Sequence, residues 1–169
     1  QRQMCIRDSF YIEDGEIKSR DGITTVEKDG IYRIKVDFSN KSVITKEIKS
    51  MGLWHCWDRN VLLDLPYIGN GVFEGTGTIS PSNNDNRYKL LMVYADDSEL
   101  IWGTKNDTDV VPGANPDPSY FYIMETNDNA EAGQWDRKWK FNDGIIGNNT
   151  KVRVIFTGEN YTHSIEPVN

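Results

Sequence analysis

The chain has 169 residues, 37% of them hydrophobic and 27% charged, with a net charge of −7. That balance describes a globular polypeptide rather than a disordered one, and its acidic excess disfavours a protein that tracks nucleic-acid phosphates. No apolar run approaches the ~20 residues of a membrane-spanning helix.

At the N-terminus, residues 1–9 read Gln-Arg-Gln-Met-Cys-Ile-Arg-Asp-Ser. The octapeptide from Arg2 to Ser9 resembles a translated transposase adapter from sequencing-library preparation. On that reading residues 1–9 are a scar and not native, so Cys5 leaves with them and Cys56 stands alone. A signal peptide or a lipid-anchor cysteine would then lie upstream.

From there the dominant signal is alternation of apolar and polar residues between turn clusters. In residues 31–38, Tyr32, Ile34, Val36 and Phe38 face one way while Arg33, Lys35 and Asp37 face the other, which predicts a half-buried strand. A turn at Ser39-Asn40-Lys41 leads to a hairpin partner over 42–48, and 51–57 reads as a further apolar strand. Asn70-Gly71 is a strong turn signal. The strand predicted over 72–79 puts Gly75 and Gly77 on one face, which points to a close backbone approach or a bulge. Residues 88–95 are apolar on both faces, as a central strand is. Short strands are predicted over 99–102 and 120–125, and alternating ones over 151–156 and 161–166.

Between these strands lie two long polar stretches, 104–119 with three prolines and 127–133. Loops of that length inside a compact domain are often functional. No stretch carries a helical stripe over ten residues, so the chain is predicted to be all-β, an antiparallel sandwich with long polar loops. A weak internal echo relates 33–38 and its hairpin partner to 151–156 and its partner. It suggests two tandem modules: 10–49 as the tail of an upstream β-module and 50–169 as an intact sandwich. Two amphipathic hairpins can also look alike by chance.

The aromatic pool points to chemistry. Carbohydrate binding needs flat rings against the C–H faces of pyranoses, and amide, carboxylate or basic groups on the hydroxyls. Trp57, Trp102, Trp135 and Trp139 are the proposed platforms, and Asp58, Asn106, Asp107, Arg137 and Lys138 the proposed hydroxyl partners. Each ring has a packing alternative. Trp54 and Trp57 fall on opposite strand faces, with Trp54 the expected core residue. Trp102 fits either role, and Trp135 and Trp139 fit a sugar subsite or a loop anchor. A stacked sugar that covers about 60–80 Å² gives roughly 1.5–2 kcal/mol, so two stacks leave affinity near μM–mM, which repetition along a polymer strengthens.

Catalysis and metals have less support. The carboxylates at Glu74, Glu99, Glu125 and Asp136 cannot be paired from spacing, and there is no nucleophile elbow or phosphate loop. His55, Cys56 and His163 lack metal-ligand spacing, and the Asn/Asp runs 106–109 and 127–129 match no EF-hand loop. No cofactor or metal is expected. A spacer module without a ligand site is the main alternative to binding.

The order of short motifs resembles one family. Gly30-Ile-Tyr-Arg-Ile-Lys-Val-Asp-Phe38 with its hairpin partner is similar to the inter-module signature of the SusE/SusF-type surface glycan-binding proteins of Bacteroidetes. Gly69-Asn-Gly-Val-Phe-Glu-Gly75, Tyr88-Lys-Leu90, Trp102-Gly103 and Tyr161-Thr-His-Ser-Ile165 resemble later elements of the same modules. The resemblance spans residues 30–166. It implies an immunoglobulin-like carbohydrate-binding sandwich in an outer-membrane lipoprotein, exposed at the cell surface beside a TonB-dependent importer and without catalytic activity. Polysaccharide or oligosaccharide is the implied partner. Trp54-His55-Cys56-Trp57 and the long loops depart from the family pattern, which leaves the sugar open.

Overall fold

The computed structural model describes residues 10–13, 16–19, 28–40, 42–55, 58–80, 85–103, 122–124, 138–157 and 160–168. The chain forms two compact units, residues 1–48 and 49–169. The predicted boundary at 49/50 thus lies one residue from this division. No breaker residue marks it, and the two strands predicted over 42–48 and 51–57 are one continuous strand, β4 (Ser42–His55).

In the first unit, β1 (Phe10–Glu13) and β2 (Glu16–Ser19) form one hairpin, and β3 (Tyr32–Asp37) pairs with the first half of β4. The predicted turn between β3 and β4 is held by the Asp37 carboxylate. It accepts hydrogen bonds from the Ser39 hydroxyl (2.6 Å) and from the backbone N–H of Ser39 and Asn40. These donors hold the Asp37 carboxyl below its ordinary range, the Ser39 hydroxyl first among them.

The second unit contains β5 (Leu63–Gly69), β6 (Val72–Thr78), β7 (Arg87–Tyr94), β8 (Glu99–Gly103), β9 (Tyr122–Met124), β10 (Trp139–Lys140), β11 (Asn149–Thr157) and β12 (Asn160–Pro167). A single 3-10 turn at Arg59–Val61 is the only helical element among the described residues. The strands follow one hydrogen-bonded path, β12-β11-β6-β5-β4-β7-β8-β9, with β10 on β7. Every register described is antiparallel.

This path curls over on itself. β12 and β7 lie five strand spacings apart along it, about 24 Å in a flat sheet. Yet the Tyr88 hydroxyl on β7 sits 2.8 Å from Nε2 of His163 on β12. The corner is β5, which pairs with β4 through residues 63–66 and with β6 at Tyr67 and Gly69. The all-β antiparallel class is as the alternation predicts. The two facing layers belong to one curled path rather than to two separately paired sheets.

The predicted Asn70-Gly71 turn is present. Gly69 pairs with Val72, and the two residues between them have φ of 53° and 77°. Positive φ at both central positions is the type I′ hairpin geometry, which suits Asn-Gly. Gly75 and Gly77 meet the close approach expected of them. A Cβ on Gly75 would stand 2.3 Å from the Asp64 carbonyl oxygen, and one on Gly77 would stand 2.8 Å from Leu63 Cδ1. These two glycines let β5 cross tightly over β6.

The core of this unit is continuous. Leu53, Leu65, Phe73, Leu90, Leu91, Val152 and Val154 are fully enclosed. Phe73 packs against Tyr67 (centroids 5.1 Å) and Phe156 (5.7 Å). Strand β7 is buried on both faces, as its mostly apolar composition predicts, and the burial includes Lys89.

Candidate functional site

The described tryptophans correct two site expectations. Trp102 is 7% exposed and Trp139 is 1% exposed, so neither ring offers a face to a sugar. Both belong to the core. Trp102 sits in β8 opposite Leu90 on the buried strand β7. Trp139 sits in β10 opposite Tyr88. Trp54, expected in the core, is half-buried.

Of the proposed hydroxyl partners, Asp58 is exposed, and its carboxylate accepts bonds from the Asn60 backbone N–H and side-chain amide at 2.9 Å. That closes a local turn. Lys138 is half-buried beside Trp139. Trp57, Trp135, Asn106, Asp107 and Arg137 lie outside the described residues, as do both Asn/Asp runs considered for calcium. Among the described residues no group of three His, Cys, Asp or Glu side chains is placed to hold a metal ion.

The strands bring several chain exits to one end of the second unit. β8 ends at Gly103, just past the Leu90–Trp102 pair. β10 begins at Trp139 against Tyr88. β4 ends at His55, whose ring meets Phe141 edge-on at 6.3 Å. Phe141 in turn stacks on Tyr88 at 4.5 Å with a 21° tilt, and its backbone N–H donates to the Asn86 carbonyl at 2.9 Å.

Tyr88 is the hub of this end. Its ring is also near-parallel to Trp139, with centroids at 5.7 Å. His163 meets Trp139 edge-on at 4.8 Å and Tyr88 at 5.8 Å. Sequence reasoning gave His163 no role beyond its strand. The signal that places it is its alternation with Ile165 on the inward face of β12, opposite Val154 and Val152.

Enclosure by these rings pushes the His163 imidazole down to about 3 from the ordinary 6.5. The cause is desolvation of the charged form. Burial lowers His55 as well. Because the unfolded chain takes up the proton more readily, stability rises with pH between about 3 and 6.5. It is complete above 6.5 and is lost as pH falls. Acidification from pH 7.5 to 5 is expected to remove about 2 kcal/mol through His163. Urea unfolding at both pH values checks this, and His163→Asn is expected to flatten the difference.

Beside this cluster lies a cleft of about 210 Å³. Tyr88, Phe141, Ile145, His163 and Ile165 are among its lining residues, the first three of them buried. Asn142, Ser164 and Glu166 supply polar groups. The cleft runs along β12, the last strand of the hydrogen-bonded path. Consecutive residues 163–166 line it. Sequence reasoning did not find this cleft, because its two walls are about twenty residues apart in the chain and hundreds of possible pairings compete.

Comparison of the chain with protein-family models, with curated proteins and with solved structures finds no match.

Proposed function

We propose that this chain binds polysaccharide without catalysis at a bacterial cell surface, through aromatic residues that follow or precede in sequence the strand ends gathered at one end of the second unit. The observation that supports this reading is the convergence of chain exits around Tyr88. Trp57 follows His55 by two residues, Asn106 and Asp107 follow Gly103 closely, and Trp135 and Arg137 precede Trp139. Strand ends that meet in space give the segments leaving them a common origin, and binding residues are often held by a rigid scaffold at such points.

With Trp102 and Trp139 committed to the core, Trp57 and Trp135 carry the stacking in this proposal, with Asp58, Arg137 and Lys138 on hydroxyls. The outer membrane, a lipid anchor upstream and a TonB-dependent importer as partner belong to the same proposal, on the SusE/SusF-type resemblance. The burial of two of four platforms favours a second reading, a spacer module that carries other modules and binds nothing.

Affinity electrophoresis in gels holding single polysaccharides separates the two. Retarded migration on at least one polysaccharide is expected, with Trp57→Ala or Trp135→Ala reducing it severalfold and leaving the unfolding midpoint unchanged. Migration unaffected by every polysaccharide tested makes the chain a spacer. Release of reducing sugar would instead make it an enzyme.

A further inference from the structure

β12 ends the hydrogen-bonded path and pairs with β11 alone among the described strands. By contrast, β11 is held by both β6 and β12, and β7 by β4, β8 and β10. The register tells which backbone groups hold β12. The Val168 N–H donates to the Asn149 carbonyl at 2.8 Å, and hydrogen-bonded pairs recur at every second residue of an antiparallel ladder. Thr162, Ser164 and Glu166, opposite Ile155, Arg153 and Lys151, therefore exchange their bonds with β11. On β11 the Phe156 N–H turns the other way, to the Gly71 carbonyl at 2.8 Å, so Val152 and Val154 bond towards β6.

Across the fold, β12 meets β7 through His163. The Tyr88 hydroxyl lies 2.8 Å from Nε2, the ring stands edge-on to Trp139, and Nδ1 has almost no contact with solvent. Val154 shares its face from β11. Charged residues on these strands alternate with the inward ones and fall on the opposite faces: Arg87 and Lys89 on β7, Lys140 on β10, Lys151 and Arg153 on β11, Glu166 on β12. Lys138 precedes Trp139 and alternates with it in the same way. Asp143 is exposed, and His55 reaches the cluster through Phe141. The titratable group turned to the imidazole from these strands is the Tyr88 hydroxyl, which keeps its proton at neutral and acid pH. Enclosure away from water is what holds the ring neutral.

We propose that β12 is an acid-released latch, held closed by neutral His163 and freed from β11 and β7 when that imidazole takes up a proton, while β11 stays on β6. A charged ring needs water, and β12 is the strand that carries it out with the fewest backbone bonds broken. Its departure bares Tyr88 and Trp139, which are 0% and 1% exposed in the closed form, and removes residues 163–166 from the lining of the cleft. This is more than a general loss of stability in acid, because one strand opens ahead of the rest. It does not depend on the polysaccharide reading.

The size of the effect follows from linkage. An exposed imidazole takes up its proton at the ordinary 6.5 and the enclosed one only at about 3. Opening is therefore expected about 30-fold more often at pH 5 than at pH 7.5.

Native-state hydrogen exchange of the full chain, read amide by amide in low urea and corrected for intrinsic rates, is the test. The Thr162, Ser164 and Glu166 amides are expected to exchange faster than those of Val152 and Val154 at both pH values, through an opening that depends little on urea. Their opening is expected to increase about 30-fold on acidification. His163→Gln keeps a polar group beside Tyr88 but takes up no proton, and is expected to remove the increase. Tyr88→Phe removes only the hydroxyl, and is expected to speed opening about fivefold at both pH values while keeping the increase.

Three results overturn the latch. The first is exchange of the β12 amides with the same protection and urea dependence as Val152 and Val154, which means that β12 opens only when the whole unit unfolds. The second is an NMR titration in which His163 of the folded chain ionises near 6.5. The third is a pH effect that survives His163→Gln. If His163→Gln does not fold, Tyr88→Phe decides in its place: β12 exchange unchanged by loss of the hydroxyl also overturns the latch.

Discussion

Replacement of Trp139 by alanine is expected to destabilise the second unit by about 3–5 kcal/mol, the range for truncating a large buried aromatic side chain. The ring is 1% exposed and touches both members of the Tyr88–His163 pair. Its loss opens a cavity at the point where β12 folds back over β7. Nothing nearby fills that space without moving a strand, because β10 is held to β7 at Trp139–Tyr88 and Lys140–Arg87. Trp139→Phe keeps much of the packing and is expected to lose far less. Urea unfolding of both variants measures the difference. A Trp139→Ala protein that keeps its midpoint but loses polysaccharide retention would restore the ring as a sugar platform and contradict its burial.

A comparable effect is expected from Gly75→Ala, about 3 kcal/mol or more, at the upper end of overpacking penalties. The added methyl carbon would stand 2.3 Å from the Asp64 carbonyl oxygen and 2.8 Å from Leu65 Cδ2. Leu65 can change rotamer, but the carbonyl belongs to the backbone of β5. That strand is fixed from the far side by the Gly52–Asp64 and Met51–Leu65 pairs with β4. Gly52 is itself in tight contact with Leu62, at 2.9 Å for an added Cβ. β5 therefore has little room to retreat in either direction. Thr76→Ala, one residue away and exposed, is expected to stay within about 0.5 kcal/mol of the parent. Equal midpoints for Gly75→Ala and the parent would show that β5 does not cross β6 as closely as described.

These two residues illustrate different degrees of legibility. Gly75 and Gly77 were readable because two glycines on one face of a strand have few uses other than close approach. The Asn70-Gly71 turn was readable for a similar reason, since few residue pairs accept two successive positive φ angles. The hairpin of β11 and β12 followed from its own alternation. β5 has no counterpart among the predicted strands, and it holds Pro66, a residue that argues against a strand interior. The structure accommodates it at the position where β5 leaves β4 and joins β6, so a continuous ladder is not interrupted there.

Trp102 and Trp139 were misjudged for one common reason. Each stands beside residues that suggest a surface: Gly103 and a polar stretch of sequence after Trp102, and Asp136, Arg137 and Lys138 before Trp139. In a strand, however, neighbours in sequence point to opposite faces. Polar flanks are therefore what a buried residue on a one-sided strand has. β10 is two residues long, too short for its period to be recognised against a four-residue tryptophan spacing that fits helix and strand alike.

By itself, then, the sequence determined the all-β class, the β3–β4 and β11–β12 hairpins, the Asn70-Gly71 turn and the positions where backbone must approach closely. Those features depend on near-neighbour rules: side-chain alternation, positive φ and the absence of a Cβ. Only the tertiary structure decided which rings are core, that the sheet curls at β5, and that Tyr88 meets His163 in the lining of a cleft. Such contacts join residues 75 positions apart. They follow from how far a whole sheet twists before its ends meet, a quantity no local pattern carries.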